Sequence, residues 1–253
     1  MALLRSENIS MHFGGVRAVD QVDLTVEEGQ ILGIIGPNGS GKTTFFNVLT
    51  GIYKPTSGQF FFRGDDITNW SSHRIAEVGI ARTFQNIRLF QNMSVLENIL
   101  VGQHTKLKAT LGGALLRTPA ERQDEASARE KAEELLDFVG LSERSAEYAA
   151  NLAYGEQRRL ELARAMASQP TLLLLDEPTA GMNPSEATEV MELIQDIGDL
   201  GVTIMLIEHN MQVMMGTAER IVALDAGAKI AEGTPQEIQY NEDVIQAYLG
   251  EEE

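Results

Sequence analysis

The chain is 253 residues long, 43% hydrophobic and 23% charged, a size and balance that allow one substantial core with room for a smaller subdomain. Its 37 acids against 20 Lys and Arg leave a net charge of −17, which repels phosphate backbones and argues against nucleic-acid binding; such a surface serves plain solubility or suits a partner with basic loops. Cysteine is absent, which excludes disulfides and thiolate metal sites, and no apolar run approaches the ~20 residues of a bilayer span.

The start, MALLRSENIS, lacks the basic segment and apolar stretch of a secretory signal, which predicts a chain that stays in the cytoplasm. Residues 1–35 read as strands, and alternating Val22, Leu24 and Val26 predict half-buried antiparallel structure. Gln30–Gly36 (QILGIIG) is a short apolar run feeding a glycine-rich turn, the pattern of a buried strand. Gly41–Gly51 (GKTTFFNVLTG) reads as a helix ended by its last glycine, and Gly58–Gly64 (GQFFFRG) as another strand. From about Asn86 to Asn151 the pattern predicts a helical insertion. Thr118-Pro119-Ala120-Glu121 fits a capping box, and Ala128, Ala132, Leu135, Leu136 and Val139 share one helical face. Glu125 and Arg129 are spaced to pair along that helix. Strand–helix alternation returns with TLLLLDEP, a cap-like Asn183-Pro184-Ser185-Glu186 and the buried-strand pattern VTIMLIEH (Val202–His209). RIVALDAGAKIAEG predicts a hairpin turning near Asp225–Ala228, and Thr234-Pro235-Gln236-Glu237 opens a final helix. The sum is an α/β core with an inserted helical lobe.

Gly36-Pro37-Asn38-Gly39-Ser40-Gly41-Lys42-Thr43 matches G-x-x-x-x-G-K-[ST]. Roughly one random chain of this length in a hundred contains that pattern, and here it also falls between a predicted strand and a predicted helix. Glycines let consecutive N–H groups point at phosphate oxygens, and the helix N-terminus adds partial positive charge. Lys42 would reach the β and γ phosphates, Thr43 would ligate Mg²⁺, and Thr44 would donate to the α phosphate of a bound nucleotide. Asp176 and Glu177 follow an apolar strand, where ligands bind in open α/β sheets. One carboxylate would position hydrated Mg²⁺ and its neighbour would face the attacking water. His209 ends the other buried strand; a lone histidine is more often structural, but here it can donate to a γ-phosphate. Gln85 can offer an amide oxygen to Mg²⁺, although a glutamine taken by itself reads as surface.

The order Gly36–Thr43, Gln85, helical insert, LAYGEQRRLELARA, LLLLDEP and His209 resembles an ATP-binding-cassette (ABC) ATPase. That resemblance implies a P-loop NTPase fold: a RecA-like core, an N-terminal antiparallel β subdomain and an inserted α-helical subdomain. The implied division is 1–85 with 153–253 for the β subdomain and core, and 86–152 for the helical subdomain. It also implies that Leu152–Glu156 is a signature turn facing ATP held by a second ATPase subunit, so that Ala153, Tyr154, Gly155 and Glu156 act in trans. A glycine at a helix start is independently an anion site. Phe13 would stack on adenine by the same resemblance; alone it reads as core. Longer runs, RTFQNIRLFQNMSVLENILVGQH, LLRTPAER, DEPTAGMNP, LIEHNM and VIQAYLG, resemble the ATP-binding subunits of high-affinity branched-chain amino-acid importers over nearly the whole chain.

Those importers imply a complex at the cytoplasmic face of the cell membrane: two ATPase subunits, usually different sister chains, two permeases and an extracytoplasmic binding protein. Permease loops would dock near Gln85–Leu100, where apolar Ile87, Leu89 and Phe90 beside Arg88 suit such a groove but equally suit a core. The sequence departs from the general cassette pattern at Ala153 (usually serine), Tyr154 (usually glycine), Glu156 (usually glutamine) and Asn183 (usually aspartate). A lipid or drug exporter shares the same ATPase cycle. A soluble cassette of DNA repair or translation fits less well, because there is one cassette, no long coiled coil and an acidic surface. No N-K-x-D guanine motif supports a GTPase.

Overall fold

The computed structural model describes residues 2–104 and 119–249. Two long strands, β1 (Ala2–Phe13) and β2 (Val16–Glu27), form an antiparallel hairpin. β4 (Ser57–Phe62) and β5 (Asp65–Asp66) extend it into a sheet of order β2-β1-β4-β5. Val22, Leu24 and Val26 are buried as their alternation predicts, with the residues between them turned outward.

The second sheet has the order β10-β9-β3-β8-β7-β6. Its parallel strands are β3 (Ile31–Ile35), β6 (Ile80–Arg82), β7 (Leu172–Asp176), β8 (Thr203–Ile207) and β9 (Arg220–Asp225), while β10 (Ala228–Gly233) folds back antiparallel on β9. β3, β7 and β8 are buried at every position because both faces are covered. Leu32, Ile34, Leu172, Leu174, Met205 and Ile207 pack with the antiparallel sheet and with Phe45 and Phe46 of helix α1 (Lys42–Leu49). Their neighbours Ile31, Ile35, Leu173, Leu175, Ile204 and Leu206 pack with helices on the other side. Each such side chain contributes about 1.5–3 kcal/mol by leaving water.

A short helix α2 (Ser72–Glu77) precedes β6. Helices α3 (Val95–Gly102), α4 (Pro119–Phe138) and α5 (Tyr154–Met166) lie between β6 and β7 in the chain. α3 starts on a full capping box at Ser94 and Glu97 and packs on α4 and α5. Ala128, Ala132, Leu136 and Val139 are buried and Leu135 is partly so, which realises the single apolar face. The capping box expected at Thr118 lies outside the described residues. Arg129 pairs with Glu133 at 2.9 Å rather than with Glu125; both partners are exposed, so the direction chosen matters by a few tenths of a kcal/mol.

Helix α6 (Pro184–Asp199) opens on the box formed by Asn183 and Glu186, and α7 (Met211–Thr217) follows β8. The hairpin turns at Ala226 and Gly227, both left-handed, as a two-residue connection requires. One expectation is corrected at the C-terminus. Thr234 and Glu237 cap only the short α8 (Pro235–Gln239), and a separate α9 (Glu242–Leu249) follows. Tyr240 closes the first, and Asn241 starts the second, because its side chain accepts the N–H groups of Asp243 and Val244.

Candidate nucleotide-binding site

The strand order places the predicted residues along one edge. β3, β8 and β7 are adjacent, and each ends at a loop carrying one of them: Gly36–Lys42 after β3, His209 after β8, Asp176 and Glu177 after β7. β6 lies next to β7 and leads to Gln85.

The loop after β3 wraps tightly on itself. Gly36 has φ 148° and a side chain there would meet the Leu224 carbonyl 2.0 Å away; Gly41, φ 101°, would meet the Ala18 carbonyl at 2.3 Å. Only glycine fits either position. Lys42 is buried, its ammonium donating to the carbonyls of Gly36 at 2.7 Å and Pro37 at 2.8 Å and lying 3.4 Å from Ser40 Oγ. Asn38 and Gly39 sit exposed at the mouth, Ser40 is buried, and Thr43 and Thr44 open the first turn of α1. This is a cradle of backbone dipoles with one cation folded into it.

Beside it, Thr43 Oγ1 lies 3.4 Å from Asp176 Oδ1. The other Asp176 oxygen accepts from Arg82 Nη2 at 2.8 Å in a buried pair. Arg82 also donates to Asn47 at 2.7 Å, and burial pulls its guanidinium below the usual value against the opposing pull of Asp176. Glu177 is 7% exposed and has φ 50°, a strained conformation for a side-chain-bearing residue. Its carboxylate is held from both sides, by Gln85 Nε2 at 2.7 Å and His209 Nε2 at 2.7 Å. Sequence reading assigned these three residues separately; the fold makes them one cluster. Buried Glu208 fixes the adjoining loops by accepting from the Thr179 N–H at 2.9 Å, the Thr179 hydroxyl at 2.6 Å and the His209 N–H at 3.2 Å.

Phe13 is 43% exposed rather than core, and stacks edge-on against Tyr53 at 5.3 Å, so the hairpin tip carries an open aromatic pair.

The expected turn at Tyr154–Glu156 is the first turn of α5 itself, with Ala153 as its cap, and is built differently. Ala153 has no side-chain oxygen to cap the helix, so only the Glu156 half of a capping box forms: its Oε2 accepts the Ala153 N–H at 2.9 Å. The other oxygen pairs with Arg144 Nε at 2.9 Å. Tyr154 donates its hydroxyl to the Ala180 carbonyl at 3.0 Å, and Gly155 faces the Glu186 side chain. The first-turn N–H groups of α5 have no intrahelical acceptor, which leaves an anion-attracting end at the surface.

One link escaped sequence reading. Arg158 of α5, 0% exposed, donates to the carbonyls of Phe84 at 2.9 Å and Gln85 at 3.0 Å and pairs with Glu161, 1% exposed, at 2.8 Å. Glu161 also accepts the Arg88 N–H at 3.2 Å. Burial pushes the Glu161 carboxyl up, with Arg158 pulling the other way. Charged residues on a helix read as solvated; the available signal was that Arg158 shares a helical face with Leu162. Tyr53, Arg82 and Glu208 gave no comparable sign.

The sequence profile described as ABC transporter matches residues 19–180, and that described as branched-chain amino acid ATP-binding cassette transporter matches residues 228–253. Over 250 residues the chain is 49% identical to the high-affinity branched-chain amino acid transport ATP-binding protein LivG of Salmonella typhimurium, covering 98% of each chain. Among solved structures, the ADP conformation of MJ1267, an ATP-binding cassette of an ABC transporter, is similar with a TM-score of 0.87 and 33% identity over 99% of each chain. The dimeric post-hydrolysis state of the cassette MJ0796 bound to ADP and Pi is similar with a TM-score of 0.75 and 26% identity, covering 92% of this chain and 98% of that one.

Proposed function

The chain belongs to the ATP-binding-cassette transporter family as an ATP-binding ATPase, and we propose that it powers a high-affinity importer of branched-chain amino acids. The observation that supports hydrolysis is the Glu177 carboxylate, buried between Gln85 and His209 at the edge where Lys42 and Asp176 also converge. The full-length likeness to LivG supports the cargo.

In this reading ATP lies along Gly36–Thr44, its phosphates on the backbone N–H groups of Asn38–Thr44, with Phe13 against adenine. Lys42 leaves the carbonyls of Gly36 and Pro37 for the β and γ phosphates. A hydroxyl facing a carboxylate suits hydrated Mg²⁺, which keeps most of its waters and takes few protein ligands; Thr43, Asp176 and Gln85 would hold it. Bound there, the ion would neutralise charge on the transferring phosphoryl group. Glu177 accepts the proton of the attacking water as the bond from the bridging oxygen to the γ-phosphorus breaks, and ADP departs with that electron pair. His209 turns from Glu177 to donate to the γ-phosphate.

Cassettes of this family dimerise, as in the ADP-bound relative. The turn at Ala153, Tyr154, Gly155 and Glu156 would meet the partner's γ-phosphate. Two permease subunits would dock at Gln85–Leu100, placing the chain on the cytoplasmic face of a membrane; among the described residues no helix is long and apolar enough to cross one. Residues 1–85 and 153–253 act as β subdomain and core, and 86–152 as the helical subdomain. Glu177→Gln is expected to keep ATP affinity, lower turnover about 10²–10³-fold and accumulate a closed dimer, read by phosphate release, nucleotide titration and gel filtration. Near-wild-type turnover removes Glu177 as the base. Leucine uptake into proteoliposomes holding the co-purified complex tests the cargo, and a complex inert to leucine, isoleucine and valine defeats it.

A further inference from the structure

The C-terminal pattern VIQAYLG has no part in the reaction described above, yet it reaches the site. Tyr248 of α9, half-buried against the helix-side core, places its hydroxyl 2.9 Å from the backbone N–H of Gly36, the first residue of the phosphate loop and 212 positions away. From the neighbouring hairpin the Gly227 N–H donates to the Ser40 carbonyl at 3.1 Å, while the Gly227 carbonyl accepts the Asp20 N–H at 2.8 Å. The loop is therefore held at its first residue by α9 and near its end by the β9–β10 turn.

The Gly36 contact sits where the chain leaves its sheet. β3 ends at Ile35, and the Leu224 carbonyl of β9 crowds the Gly36 Cα so closely that no side chain fits. The peptide entering the loop is pinned by Tyr248, and the next peptide offers its carbonyl to Lys42 at 2.7 Å. Two successive peptides at the loop entrance are thus fixed, one by a residue that binds phosphate and one by a residue that does not.

We propose that Tyr248 is a positioning residue for the phosphate loop: by accepting the Gly36 N–H it sets the path of the loop and turns the later N–H groups toward phosphate, so that docking of α9 tunes ATP affinity. This rests on the reading of residues 36–43 as the ATP site. It also gives the C-terminal segment a regulatory reach, because anything that lifts α9 weakens nucleotide binding without touching the catalytic carboxylates.

Tyr248→Phe keeps the ring and removes the acceptor, so a residue that merely packs would not register the change. In the full-length chain the variant is expected to raise the ATP dissociation constant about three- to tenfold, the worth of one hydrogen bond to a shielded amide. In the assembled complex KM should rise likewise with kcat within about twofold. Hydrogen exchange should quicken at the Gly36 amide. Leu249→Ala, at an exposed neighbour on the same helix, should change none of the three. Wild-type ATP affinity in Tyr248→Phe overturns the inference and leaves the functional reading standing. A Gly36 amide that exchanges in the wild type as fast as an open loop also overturns it, and needs no variant to fold. A wild-type chain that binds no ATP takes down the functional reading and this inference together.

Discussion

Two helices in this chain carry a glycine at their start, α1 with Gly41 just before Lys42 and α5 with Gly155 in its first turn, and the chain finishes them in opposite ways. Around the first, carbonyls from Ala18 and Leu224 crowd the glycines, a buried ammonium fills the hollow, and Tyr248 and Gly227 brace the backbone from behind. Around the second, the polar groups are tied sideways, Glu156 to Arg144 and Tyr154 to Ala180, and the helix end faces outward. Both ends attract anions through the same dipole. The first folds its glycines inward around a cation of its own chain, whereas the second leaves its donors facing out, as the proposed contact with a second cassette's nucleotide needs. The second is wired toward the first through Arg158 and Glu161, which join α5 to the backbone that carries Gln85.

The hardest way to break this comparison is to cut that wire. Arg158→Ala leaves Glu161 buried without its counter-ion, at an expected cost of about 3–5 kcal/mol, measured by urea denaturation. The sign of its pH dependence follows from burial, which holds Glu161 above its ordinary value in the folded state. Such a group favours folding where it is protonated and loses that contribution as the pH rises through the folded value. The deficit of Arg158→Ala should therefore shrink as the pH is lowered, and a double Arg158→Met, Glu161→Gln variant should show little of it. A single variant as stable as wild type would mean that α5 is not fastened to the Gln85 segment.

A gentler test acts near the first. Phe13→Ala should raise KM for ATP about fivefold or more through lost base stacking, with kcat unchanged. Unaltered KM would remove the exposed aromatic pair from nucleotide binding and leave the phosphate cradle as the whole of the site. The smallest effect is expected at the start of α5. Glu156→Gln should alter the ATPase rate of the assembled complex by less than about threefold, because the carboxylate is already turned onto Ala153 and Arg144 and each such contact is worth little at a surface. Complete loss of activity would show that Glu156 itself reaches the neighbour's nucleotide.

The glycine loop and the carboxylates beside it were legible in the sequence because their pattern is local: the eight consecutive residues Gly36–Thr43 form the loop, and an apolar strand presents Asp176 and Glu177. The inserted helices and the strand alternation were legible for the same reason, since period and caps are short-range signals. What stayed hidden depends on distant partners. Arg82 and Arg158 look like surface cations until the fold brings Asp176 and the Phe84 carbonyl to them. Tyr154 read as a glycine lost from the signature turn, whereas its hydroxyl gains a contact twenty-six positions away. The break between α8 and α9 was readable and missed, since Asn241 followed by Glu242 and Asp243 is an ordinary helix start.

The bond from Tyr154 to Ala180 has a mechanical consequence. Ala180 lies just beyond Glu177 on the same loop, and the Ala180 N–H donates back to the Glu177 carbonyl at 3.1 Å. A pull on the outward-facing turn therefore travels through one phenol and one peptide to the backbone of the strained glutamate. Were that turn to meet a partner's nucleotide as proposed, force applied there would arrive at Glu177 as a change in backbone torsion, and paired cassettes would fire in conversation rather than independently.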